Sequence, residues 1–164
     1  MAINSLKDVY IDQLQDIYSA LKQSRAATEK LVEVAAHDEL REALKDGVKG
    51  IEQGMDSASS IVRAHGEDPT DEFCKGMEGL VKEVHAHVLD AEFGDDDARD
   101  AMLITQYQRM AHYAIAGWGC VAAFAKRLDL EDDASKIQTE LKHTIEGDER
   151  MTKIAISGIN SAAA

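Results

Sequence analysis

The chain has 164 residues, 31 acidic and 18 basic side chains, and a net charge of −13. That length suits one domain, residues 1–164, able to bury a sizeable core, and 45% hydrophobic residues argue against wholesale disorder. One proline, Pro69, and 5% aromatics exclude all-β and collagen-like folds, and the acidic balance sets nucleic acid and anionic membranes aside as partners.

The opening residues, MAINSLKDVYIDQLQ, hold no basic segment followed by an apolar run, so no signal peptide is expected. The longest stretch free of Asp, Glu, Lys and Arg, Met110 to Ala125, is short for a membrane span and includes His112 and Tyr113. Cys74 and Cys120 give neither a disulfide framework nor metal spacing and are read as ordinary thiols. The expectation is a cytoplasmic protein.

Apolar spacing is helical almost throughout. A first helix starts after Asn4-Ser5, either of which can cap it. Its inner stripe runs through Leu6, Val9, Gln13, Ile17, Ala20, Ser24, Ala27, Leu31 and Val34. His37-Asp38 breaks it, and Asp38 reads as the N-cap of a second helix ending near Arg63. His65 reads as a C-terminal residue interacting with that helix's dipole. GEDPTDE, 66–72, is a loop, and a shorter helix runs from about Glu72 to Ala91. A third long helix spans Asp95 to Leu128, Leu128-Asp129-Leu130 turns the chain, and a last helix runs from Asp132 to about Ser157. The SGINSAAA tail is expected to fray.

The fold class is therefore all-α. Two helical hairpins joined by one long crossover, which carries a fifth short helix, make the ferritin-like form of the four-helix bundle. The third long helix carries two adjacent stripes, one with Ile104, Ala111 and Trp118 and one with Tyr107, Met110 and Phe124. So wide an apolar arc implies burial against the crossover helix, a partner subunit, or both. The last possibilities motivate a homodimer, with Tyr107, Trp118 or Phe124 near the interface or the crossover helix.

The run LKDVYIDQLQDIYSA at 6–20, DELREAL at 38–44, CKGMEGL at 74–80 and HYAIAGWG at 112–119 resembles the YciE/YciF ferritin-like family over nearly the whole chain. The resemblance implies a ferritin-like bundle, usually a dimer, linked with bacterial stress responses. In many members it also implies carboxylates and a histidine inside the bundle, as a di-iron or di-manganese site requires. Aligned on that pattern, the donor positions carry Leu21 on the first helix and Gly50 and Gly54 on the second. Ala111 and Ala114 replace acidic residues on the third, and His143-Thr144 falls at the acidic pair of the last. A metal cavity replaced by tight packing is the expectation, with Gly47, Gly50 and Gly54 on one helix face admitting a bulky neighbour such as Trp118.

Residual metal candidates are His112, His143, Asp148 and Glu52. His85 and His87, two apart, face different ways on a helix. Asp95-Asp96-Asp97 reads as a solvated helix start, and no GxSxG or phosphate loop is present. No catalytic residue and no cofactor are therefore expected. Three readings stand: a non-catalytic stress-associated protein that has lost its metal site, an iron or manganese oxidase with unconventional ligands, and a helical protein-interaction module.

The net charge of −13 repels itself. Salt screens that repulsion beyond roughly 10 Å at about 0.1 M. The melting temperature, measured at one pH, is expected to rise from low to moderate salt.

Overall fold

The computed structural model describes residues 3–164. Six helices follow one another: α1 (Leu6–Val34), α2 (Asp38–Ala64), α3 (Lys75–Val84), α4 (Asp96–Arg127), α5 (Glu131–Ile154) and a final turn α6 (Asn160–Ala162). α1 and α2 form one antiparallel hairpin and α4 and α5 a second. α1 lies beside α4, and α2 beside α5. The crossover climbs the length of the bundle and lays α3 against both α1 and α4. This is the ferritin-like four-helix bundle with a fifth short helix in its crossover.

Local chemistry sets the helix ends. The Ser5 hydroxyl accepts from the Asp8 amide at 3.2 Å and Asp95 from the Ala98 amide at 2.8 Å, so both helices start on a side-chain cap. His37, not Asp38, takes the N-cap position of α2 and makes no side-chain cap there. Asp38 is already helical, with its carboxylate on Arg41. At the other end of α2, Gly66 adopts φ 83° while the Glu67 amide returns to the Val62 carbonyl at 3.2 Å. After α4, Asp129 repeats the motif at φ 57°, with the Leu130 amide on Ala125 at 3.0 Å. A short polar side chain tolerates that left-handed backbone better than most.

Three stretches differ from the sequence reading. The crossover helix starts at Lys75, because the buried Cys74 caps it by accepting from the Met77 amide at 3.3 Å. Its end widens at His85–Leu89, where the Asp90 amide reaches back five residues to His85. The chain stays helical through Ala162. It passes through a second wide turn, Ala155–Ile159, and seats Ile159 at 2% exposure in the core beside Ile154 and Met151.

Part of the apolar arc on α4 is taken up inside the chain, while Ile115 and Phe124 stay half-buried. Met77, Leu80 and Val81 of α3 join Leu103, Ile104 and Met110 of α4 in one core cluster. A thiol–phenol–carboxylate chain fastens the docking of α3. Cys74 donates through its thiol to Tyr113 at 3.0 Å, and Tyr113 donates to Asp16 on α1 at 3.1 Å. The buried face of α1 is also wider than the expected stripe, taking in Tyr10, Leu14, Gln15 and Leu21, because three helices rather than one cover it.

Two polar clamps close the bundle ends. At one end Tyr10 donates to Asp133 at 3.1 Å, and His65 Nε2 lies 2.8 Å from the same carboxylate. His65 sits at the C-cap of α2, as read from the sequence, and also bridges to α5. At the other end Asp100, with no exposed surface, accepts from the Ala36 amide at 3.0 Å and the His37 amide at 2.9 Å. His37 Nδ1 also stands 2.9 Å from that carboxylate.

A buried carboxylate that loses its partners, or amides that lose their acceptor, cost far more than an exposed pair. Asp100→Ala is expected to lower unfolding free energy by about 3 kcal/mol in urea titrations. Asp97→Ala, removing the exposed contact to His37, is expected to change it by less than about 0.5 kcal/mol.

Candidate functional site: a chamber at the bundle centre

The core is not continuous. One cluster surrounds Leu31, Leu40, Leu44, Leu103 and Met151, and another surrounds Leu14, Ile61, Trp118, Val121 and Ile137. On α5 no residue between Ile137 and Met151 is fully buried. The gap is a cavity of about 350 Å³. Leu21, Ser24 and Thr28 of α1 and Gly47, Gly50 and Gly54 of α2 line it. Tyr107, Ala111, Ala114 and Trp118 of α4 and Glu140, His143 and Thr144 of α5 complete the wall.

All seven positions picked out by the donor pattern, Leu21, Gly50, Gly54, Ala111, Ala114, His143 and Thr144, converge on this chamber. Tight packing, however, is corrected. At Gly54 a Cβ would stand 3.2 Å from Leu21 and 3.4 Å from Trp118, and at Gly47 it would stand 2.6 Å from the Tyr107 hydroxyl. There the glycines do admit bulky neighbours. At Gly50, between them, a Cβ would meet nothing within 4 Å. Gly50 is exposed at the mouth, and behind it small residues on α2 and α4 face a stretch of α5 without large inward side chains, so the chamber opens to solvent between α2 and α5. Tyr107 and Trp118 face this chamber from α4.

Two bridges between α2 and α5 frame the opening. Arg150 donates to Asp46 at 2.9 Å, and Ser57 donates to Glu140 at 2.7 Å. Most hydroxyls of the wall are committed to backbone carbonyls: Ser24 to Leu21, Thr28 to Ser24 and Thr144 to Glu140. The Tyr107 hydroxyl has no hydrogen-bond partner among the described residues. Burial, reinforced by the nearby Asp148 charge and opposed by Arg150, pushes its pKa up to about 12.

The residual metal candidates do not assemble. His112 Nε2 lies 3.0 Å from Asp148, but on an imidazole side chain 65% exposed, and Gln108 donates to the other Asp148 oxygen at 3.1 Å. Glu52 pairs with Arg25 at 3.2 Å on the α1–α2 surface. Only His143 lines the chamber. His85 and His87 pair separately, with Asp90 and Glu83. No group of three His, Cys, Asp or Glu placed to hold a metal ion occurs among the described residues. The tyrosine clamp at Asp133 and the Cys74–Tyr113–Asp16 chain escaped the sequence reading. Their partners are far apart in the chain, and no periodic pattern announces them.

A family model described as a domain of unknown function, DUF892, matches residues 5–164. The chain belongs to that family. It is 28% identical to Protein YciF of Escherichia coli (strain K12) over 164 residues, covering 99% of this chain and 98% of that protein. The crystal structure of the E. coli stress protein YciF superimposes with a TM-score of 0.88 at 27% identity, covering 96% of this chain and 99% of that one. YcfI, a putative structural protein from Rhodopseudomonas palustris, superimposes at 0.85 with 24% identity over 92% of this chain and 94% of that one, a likeness of fold. This DUF892 chain is thus related to a stress protein. Among its described residues no helix is long and apolar enough to cross a membrane.

Replacing the two glycines should have opposite effects. Gly50→Ala is expected to stabilise by about 1 kcal/mol, the helix-propensity difference in an unobstructed position. Gly47→Ala is expected to destabilise, because its Cβ would stand 2.6 Å from the Tyr107 hydroxyl, which must shift within a packed site. Urea midpoints of both variants check this.

The phenols give a pH dependence of definite sign. Burial first, then Asp133 for Tyr10 and the Cys74 bond for Tyr113, raises these two pKa values above the usual value, as burial does for Tyr107. A group whose pKa is raised by folding stabilises below its unfolded value, about 10 for tyrosine, and loses that contribution as pH rises through the folded value. Between about pH 9 and about pH 11 the wild-type urea midpoint is expected to fall further than that of Tyr107→Phe, which lacks one such phenol.

Proposed function

We propose that this chain is a stress-associated, non-catalytic member of the DUF892 family, cytoplasmic and homodimeric, in which metal chemistry has been lost from the bundle centre. The observation carrying this is the make-up of the chamber wall. A di-metal centre needs inward carboxylates and imidazoles from several helices. The positions that would supply them bear Leu21, Gly50, Gly54, Ala111 and Ala114, none of which has a donor atom. Of the polar groups left, Glu140 accepts from Ser57 and Asp46 from Arg150 and Lys49. The residues present do not fit a di-iron or di-manganese site.

The stress association rests on the relation to YciF. Exposed large apolar side chains, Ile3, Phe73, Ile145 and Ile156, sit on separate elements. They do not form the single apolar face that an interaction module needs.

Protein isolated without chelators is expected to hold no stoichiometric iron or manganese by elemental analysis and to oxidise Fe(II) no faster than buffer. Two tightly bound metals per chain would overturn the reading in favour of an oxidase with unconventional ligands. Light scattering is expected to give twice the 17.9 kDa chain mass, and a single-chain mass at every concentration would remove the dimer.

A further inference from the structure

We propose that the chamber between α2, α4 and α5 binds a neutral, mainly apolar small molecule whose one oxygen acceptor bonds to the Tyr107 hydroxyl. The inference rests on the reading of the chamber as free of metal chemistry and adds to it the class of ligand. Four observations support it. The volume, about 350 Å³, falls within the range of small-molecule sites. The inner wall is built of Leu21, Met110, Ala111, Ala114 and Trp118, an apolar surface that water hydrates poorly.

The third observation is the unpartnered phenol. Tyr107 is only 7% exposed, lines the chamber, and its hydroxyl has no acceptor among the described residues, while Ser24, Thr28 and Thr144 of the same wall are all committed. The ring is buried while the hydroxyl oxygen stays accessible from the chamber, so its donor is open to a ligand acceptor. Its pKa of about 12 keeps it a donor at neutral pH. The fourth observation is charge. Asp46, Glu140 and Glu146 border the chamber, and Arg150, its one guanidinium, is already paired with Asp46. The three carboxylates outnumber Arg150 around the chamber, so an anionic ligand meets a repulsion that a neutral one does not.

The test uses prodan, a neutral naphthyl ketone whose emission shifts to the blue in apolar surroundings and whose absorption overlaps tryptophan emission. Trp118, the one tryptophan of the chain, lines the chamber and serves as energy donor. Titrated into wild-type protein with chelator present, prodan is expected to bind saturably, one per chain, with blue-shifted emission sensitised through Trp118. Gly50→Leu places a side chain where a Cβ meets nothing, so it should fold, fill the space and abolish saturable binding. Gly147→Leu approaches the same space from α5, also from an unobstructed position, and serves if the first variant does not fold. Tyr107→Phe keeps the shape and is expected to weaken binding roughly fivefold, the loss of one hydrogen bond. Anilinonaphthalene sulfonate, similar in size but anionic, is expected to bind roughly tenfold more weakly than prodan.

No saturable prodan binding, or binding unchanged in both filled variants, overturns the proposal. Absence of both prodan and metal binding sinks this inference and leaves the functional reading intact. Stoichiometric metal that displaces prodan sinks both.

Discussion

The Asp100 carboxylate is the contact on which the rest of the arrangement depends. It comes from the first turns of α4 and receives the backbone amides of Ala36 and His37, in the connection between α1 and α2. Those amides would otherwise be unsatisfied donors at a buried corner. A carboxylate without exposed surface is itself costly, so the pairing is specific: neither side tolerates a different axial offset. It thereby fixes how far one hairpin slides along the other. The consequence reaches the middle of the bundle, because Gly47 meets the Tyr107 hydroxyl and Gly54 meets Trp118 only at that offset. The Tyr10–Asp133–His65 clamp repeats the constraint at the opposite end and binds α1, α2 and α5 together.

With both ends pinned, the middle is free to be underfilled. Each glycine in the interior of α2 gives up about 1 kcal/mol against alanine, and each missing side chain forgoes dispersion contacts. Trp118 at 1% exposure and Tyr107 at 7% recover some of that by packing onto the glycine positions. They do not recover it at Gly50, where the space is open. The two separate core clusters, each with its own clamp, carry the stability that the centre lacks.

Much of this was legible from the residues alone. The three- and four-residue spacing, Asn4-Ser5 as the start of α1, and the length between Gly66 and Gly94 led to a bundle with one crossover, because helix periodicity and loop length are local properties. The convergence of Leu21, Gly50, Gly54, Ala111 and Ala114 was legible only through resemblance, which supplies the register between helices that periodicity does not. What escaped was volume and partnership. Small residues on facing helices can mean close approach or empty space, and the sequence does not tell which until the helix separation is known. The start of α3 escaped because Cys74 is an unusual cap, and the helical terminus because Ile159 finds its place among Met151 and Ile154, a contact set by packing.

The length of the crossover shapes how such a chain reaches this structure. Within each hairpin the contacts beside the turns at Ala35–His37 and Leu128–Leu130 are local in sequence, and local contacts form quickly. Asp100, Asp133 and the Cys74–Tyr113–Asp16 chain all join partners distant in sequence. They are the contacts that dock one hairpin on the other. Residues 65–95 then act as a tether, and loop-closure entropy rises only slowly with its length. A nascent first hairpin can therefore wait for the second to emerge with little penalty, its apolar face temporarily uncovered. The strip of α1 that α3 later covers is the part of the molecule most dependent on that second step, and it is where a folding chain would first need shelter from its neighbours.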